Sequence, residues 1–86
     1  MAESLLAGKT VILTGAAGGI GVHVARALAE AGASVGLTDL SAEGTQTIAN
    51  ELARAGSRVS AAAFDGTDEQ HVAAFHGQVR EELGEV

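Results

Sequence analysis

The chain has no cysteine, proline, tryptophan or tyrosine, and its only aromatic residues besides histidine are Phe64 and Phe75. Without cysteine, neither a disulfide framework nor a thiolate metal site can form. With so few aromatics, the core has to be built from Val, Ile, Leu and Ala. Cations are scarce as well. Lys9, Arg26, Arg54, Arg58 and Arg80 are scattered through 86 residues with a net charge of −6. No basic stripe exists, so nucleic-acid binding through phosphate neutralisation is not expected. The acid excess reads as solubility, and a bound anion would have to be held by backbone dipoles. No apolar run approaches the roughly 18–20 residues that span a membrane. The opening MAESLLAGKT carries Glu3 and lacks a basic region before an apolar stretch, unlike a secretory leader. A cytoplasmic location is the expectation. What is plentiful is apolar side chain, at 47%, which is globular in character. A single domain this short buries only about 60–65% of its unfolded surface, so marginal stability is expected.

Strand-like and helix-like segments alternate along the chain. Thr10 to Leu13 (TVIL) is a short continuous apolar run, as in a strand covered on both faces. From about Gly19 to Ala31, Ile20, Val24, Ala27, Leu28 and Ala31 recur at helical spacing, and Gly32 supplies a stop. Ser34 to Thr38 predicts a second strand that ends at Asp39. Ser41 is placed to cap a helix running to about Ala55, with Ile48, Leu52 and Ala55 on one face and Gly56 ending it. Arg58 to Phe64 predicts a third strand, weakened by its alanines. Asp65-Gly66 closes that strand. Thr67 and Gln70 match a capping box, opening a helix with Val72, Phe75, Val79 and Leu83 as its core face and Gly84 at its end. The β-α-β-α-β-α order calls for a parallel sheet with right-handed crossovers. Residues 1–86 read as one continuous piece of a single domain, without repeat or linker.

The stretch TGAAGGIG, residues 14–21, lies between the first strand and the first helix. Phosphate-binding loops of α/β proteins sit at that edge of the sheet, where free N–H groups and the helix dipole favour an anion. Gly15 suits the tight turn out of the strand. Gly18 or Gly19 lets the backbone approach a diphosphate, and Gly21 lets the helix pack close. Asp39 follows Gly21 by 18 residues, near the distance at which an acid accepts hydrogen bonds from an adenosine ribose. Asp65 ends the third strand on the same edge, within reach of an adenine. Each acid has a plain structural alternative as a turn residue or a cap.

Together these residues resemble the short-chain dehydrogenase/reductases. TGAAGGIG is similar to the family's TGxxxGxG motif. GKTVILTG before it, ALAEAGASV after it, the acid in LTDLS and the stretch FDGTDE follow in the family's order and spacing. The resemblance covers residues 6–86. It implies an α/β fold: a partial Rossmann-type, doubly wound parallel sheet of strand order 3-2-1 that stops before the fourth strand. It also implies a hydride transfer between a nicotinamide cofactor and an alcohol or carbonyl substrate. Gly15, Gly18, Gly19, Ile20 and Gly21 would line the diphosphate, Asp39 with neighbouring Leu40 would meet the ribose, and Asp65 with the Gly66 backbone would meet the adenine. The family more often has a branched apolar residue where Gly66 stands. Members that use NADP often carry a basic residue at the places of Gly18 and Leu40. Their absence, and the charge of Asp39, favour NAD. The spacing through Gly15, Gly18 and Gly21 also fits the family's extended branch, although the GIG ending and the length of the second unit favour the typical short one.

The family's acid/base is a tyrosine in Tyr-x-x-x-Lys, supported by a serine and an asparagine-rich segment beyond the fourth strand. This chain has no tyrosine, and its one lysine, Lys9, precedes the first strand. The resemblance is therefore to the first third of an enzyme, and these 86 residues alone are expected to be inactive. His23, His71 and His76 read as helix-face residues, Glu81 and Glu82 as a solvated pair, and no metal ligands are expected. The alternatives are a stand-alone nucleotide-binding module and a non-functional truncated product. An unpaired first-strand edge is expected to make the isolated chain unstable or prone to pairing. The parent is expected to be a homo-oligomer, with interfaces mostly outside this chain and a substrate set elsewhere.

Overall fold

In a computed structural model, the structure describes residues 5–86. The expectation drawn from residues 1–10, that they do not form a leader, rests in part on residues 1–4, which lie outside the described residues. Three strands and three helices alternate: β1 (Thr10–Thr14), α1 (Gly19–Glu30), β2 (Ser34–Asp39), α2 (Ala42–Arg54), β3 (Val59–Ala63) and α3 (Glu69–Leu83). The strands stand in the order β1-β2-β3, all parallel, with Val11 beside Val35 and Val35 beside Val59. The arrangement is Rossmann-like. Strand β2 is central and its residues from Val35 to Thr38 are buried, whereas β1 and β3 are half-covered.

Alternation along β2 divides the core. Val35 and Leu37 are fully buried with Ala25 of α1 and Ile48, Ala49 and Leu52 of α2. On the opposite face, Phe75, Val79 and Leu83 of α3 pack with Ile12, Ala62 and Phe64. Gly36 is the contact between that face and α3: a β-carbon there would lie 2.7 Å from Val79 Cγ2. Phe64 and Phe75 meet edge to face with centroids 5.6 Å apart, a geometry aromatic pairs favour.

Both α1 and α2 stop in the same way. Gly32 (φ 97°) and Gly56 (φ 94°) adopt the left-handed region. Gly32 N–H bonds the Ala29 carbonyl and Ala33 N–H the Leu28 carbonyl; Gly56 and Ser57 repeat the pair on Ala53 and Leu52. These double closures satisfy two carbonyls in the last turn of each helix. Strand pairing also runs past the ends of β3, because Val35 N–H bonds the Arg58 carbonyl and Phe64 N–H the Asp39 carbonyl.

Some expectations are corrected. The cap of α3 is Asp68, not Thr67: its carboxylate accepts from the N–H groups of Gln70 and His71, while the Thr67 hydroxyl donates to Asp65 instead. Val72 is 43% exposed and does not belong to the core of α3. In α1 the buried side is Ala25, with Val22, Leu28 and Ala29 half-buried, whereas Ile20 (82% exposed), Val24 and Ala27 face outward. In α2, Ala55 is exposed as well. The common reason is one-sided cover. Helical spacing finds an apolar stripe, but the rotation of the helix depends on the neighbours actually packed against it. Among the described residues nothing covers the outer side of α1, and β1 pairs on one edge only. No helix among the described residues is long and apolar enough to cross a membrane.

Candidate functional site

The site is built where β1 ends and α1 begins. The chain leaves β1 through Gly15 at φ 69°, a conformation that disfavours side chains. Ala16 is buried and its N–H bonds the Thr38 carbonyl, so the loop stays tied to β2. The Gly18 N–H then returns to the Gly15 carbonyl, closing a tight turn. Gly18 stands at the cap position with extended backbone, and no side chain caps the helix. The regular ladder begins with Val22 N–H on the Gly18 carbonyl. Among the described residues the N–H groups of Gly19, Ile20 and Gly21 therefore have no partner.

Gly21 is the sterically constrained residue of the loop. A β-carbon there would sit 1.9 Å from the Gly15 carbonyl oxygen, a backbone atom that cannot step aside. Its role is thus close approach to the loop itself rather than to the strand alone. Gly19 differs: a β-carbon there would meet nothing within 4 Å.

Asp39 ends β2 beside this loop. Its Oδ2 accepts from Ala17 N–H at 3.0 Å and its Oδ1 from Ser41 N–H at 3.2 Å. These bonds, from Ser41 first and Ala17 second, hold its carboxyl below the usual carboxylate range, so it is anionic at neutral pH. One side chain thereby braces the glycine-rich loop to the start of α2. Ser41 also caps α2, its Oγ accepting from Gly44 N–H at 3.0 Å. Gly44 permits the contact from the other side, since a β-carbon there would lie 2.7 Å from Ala17 Cβ. Sequence reasoning does not single out Ala17, Ser41 and Gly44 as parts of the site. The available signal is a run of small residues at both ends of Asp39.

Asp65 and Gly66 follow β3 at the same edge, placed there by the Phe64–Asp39 backbone bond. Both are exposed. Asp65 Oδ1 accepts from Thr67 N–H at 2.9 Å and from Thr67 Oγ1 at 2.8 Å, which lowers its pKa; neither bond uses Oδ2. Leu40, 74% exposed, lies between the two acids in sequence and flanks Asp39. His71 Nδ1 lies 2.8 Å from Asp68 Oδ2, and its ring stacks on Phe64.

A tight glycine turn, an uncapped helix start and an anionic acid at the end of the next strand are the features of the corner at which α/β sheets bind dinucleotides. Comparison with known proteins gives the family. The profile of the short chain dehydrogenases matches residues 9–86, and the chain belongs to that family, whose members use nicotinamide dinucleotides. It is 43% identical over 76 residues to a cis-4-hydroxycyclohexanecarboxylate dehydrogenase of Sinomonas cyclohexanicum, covering 88% of this chain and 30% of that protein. It is 37% identical over 81 residues to a 7alpha-hydroxysteroid dehydrogenase of Escherichia coli (strain K12), covering 94% of this chain and 32% of that protein. A crystal structure of a short chain dehydrogenase from Mycobacterium smegmatis superposes with a TM-score of 0.87 at 36% identity, over 96% of this chain and 35% of the other. The chain thus spans about a third of the length of the relatives it matches.

Proposed function

We propose that these residues form the NAD-binding part of a short-chain oxidoreductase that moves a hydride between the nicotinamide and an alcohol or carbonyl substrate. The observation that carries this reading is the start of α1. It has no side-chain cap and no acid in its first turn, and three N–H groups are left free behind a glycine turn. Such an end offers donors and a positive dipole to a diphosphate without a basic side chain.

In this reading Gly15, Gly18, Gly19, Ile20 and Gly21 hold the diphosphate through their backbone. Asp39 accepts from the ribose hydroxyls with lone pairs not used by Ala17 and Ser41. Leu40 offers an apolar edge to the adenosine. Asp65 Oδ2 accepts from the adenine amino group, and the Gly66 backbone adds a contact. Bound cofactor supplies the hydride acceptor or donor; this chain's residues supply binding and orientation. The residues contain no tyrosine and so hold no counterpart of the family's acid/base.

NAD is favoured over NADP on charge. Asp39 is ionised and would repel a 2′-phosphate, and neither Gly18 nor Leu40 provides a compensating cation. Calorimetric titration of the chain with NAD and NADP tests this. NAD is expected to bind more tightly, and Asp39→Ala to weaken NAD by about tenfold while narrowing the gap to NADP. Unchanged affinity for both would remove Asp39 from the site.

A further inference from the structure

We propose that Glu51, by occupying Arg26, is a second determinant against a 2′-phosphorylated nucleotide. The inference rests on the nucleotide-binding reading above and names a residue outside its glycine loop and strand ends. A cleft of about 440 Å³ opens between α1 and α2. At one end it is lined by Ala17 and Ser41, whose N–H groups are the two that hold Asp39. Glu43, in the first turn of α2, lines it as well, and further along the helices so do Arg26 and Glu51. The cleft therefore begins at the acid assigned to the ribose, and a phosphate on the ribose 2′-oxygen would be presented to it.

Among the described residues Arg26 is the only cation on its walls. A guanidinium fork is well matched to a phosphate, so a cation in this place would ordinarily favour NADP. Here the fork is filled. Arg26 Nε lies 2.5 Å from Glu51 Oε2 and Nη2 lies 2.9 Å from Oε1. Each partner supports the other's charged form. With Glu43 added, two acids and one base line the cleft, and Asp39 is bonded to two further lining residues, Ala17 and Ser41. A 2′-phosphate would have to displace Glu51 from Arg26 in a net acidic cleft. The pair is solvent-exposed, with roughly half of each side chain accessible, and ion pairs of that kind contribute little to folding. Removing Glu51's charge should therefore free Arg26 without unfolding the chain.

The test titrates ADP and 2′,5′-ADP into the chain, into Glu51→Gln, and into Glu51→Gln combined with Arg26→Gln, with circular dichroism confirming the fold of each. Glu43→Gln provides an equal change of charge that leaves the ion pair in place. Glu51→Gln is expected to raise the affinity for 2′,5′-ADP relative to ADP by about five- to tenfold. Loss of Arg26 should abolish the gain, and Glu43→Gln should give a smaller one. An unchanged ratio in Glu51→Gln, with ADP still bound, overturns the proposal and leaves the nucleotide site standing. A gain that survives the loss of Arg26, or an equal gain from Glu43→Gln, also overturns it, since general charge would then be the cause. Absence of ADP binding by the unmodified chain overturns the nucleotide reading and this proposal with it.

Discussion

The three helices begin in two different ways. Helices α2 and α3 start with side-chain caps, Ser41 and Asp68, and each has an acid in its first turn, Glu43 and Glu69. The start of α1 has neither, and stands behind a glycine turn. All three ends face the same physical demand, because the first N–H groups of a helix lack intrahelical partners and carry the positive end of its dipole. Two are capped in part by their own side chains, Ser41 taking one N–H group and Asp68 two. The third has no side-chain cap at all. The difference shows that the loop at residues 14–21 is not merely flexible: its geometry is held by Asp39 through Ala17 and by the Ala16–Thr38 bond, while the donors beyond it stay free.

The strongest way to break the contrast is Gly21→Ala. Its methyl group would overlap the Gly15 carbonyl, and overpacking against backbone should cost on the order of 3 kcal/mol, a large part of a small domain's stability. Urea denaturation followed by circular dichroism measures it. Gly19→Ala, two residues earlier in open space, should stay within about 1 kcal/mol of the parent. A parent-like midpoint for Gly21→Ala would refute the close approach.

At the capped ends, Ser41→Ala should lower stability by about 1 kcal/mol, read in the same denaturation. Asp68 gives the pH dependence. Its native pKa is held below the ordinary 3.8, foremost by His71 N–H. Its contribution is thus fully present above the unfolded pKa and is lost as pH falls through the native one. Thermal unfolding across this acid range should show a shallower loss for Asp68→Asn than for the parent. Parallel curves would show that the cap does not respond to its charge.

The smallest effect on stability, and the sharpest for the comparison, is Gly18→Asp. Position 18 already has a cap's extended backbone, and a β-carbon would be 3.6 Å from the Gly15 carbonyl oxygen, an ordinary contact. Converting α1 to the pattern of its neighbours should gain a few tenths of a kcal/mol and abolish nucleotide binding. A variant that gains stability and still binds ADP would place the diphosphate elsewhere.

Much of this is legible in the amino-acid sequence. The element order, the stops at Gly32 and Gly56 and the cap at Ser41 follow from local chemistry. So does the position of Asp39 at a strand end, since a polar residue closing an apolar run marks that boundary. Other features are not legible there. The Thr67–Gln70 pattern fits a capping box, yet Asp68 stands one residue nearer the helix and holds two N–H groups with one carboxylate. Nor does spacing reveal that Asp39 braces the loop, that Gly44 makes room for Ala17, or that Arg26 is taken by Glu51.

The sequence by itself determined the alternation of strands and helices, the glycine turn and the acids at the strand ends. Each of these rests on backbone freedom and hydrogen bonding within a few residues. Only the tertiary structure decided which side of α1 is buried, which oxygens of Asp39 are engaged and that Arg26 is paired with Glu51. A helix's rotation and a carboxylate's partners are set by groups distant in sequence, such as Ala17 and Asp39, 22 positions apart, and these meet only when the sheet and helices pack.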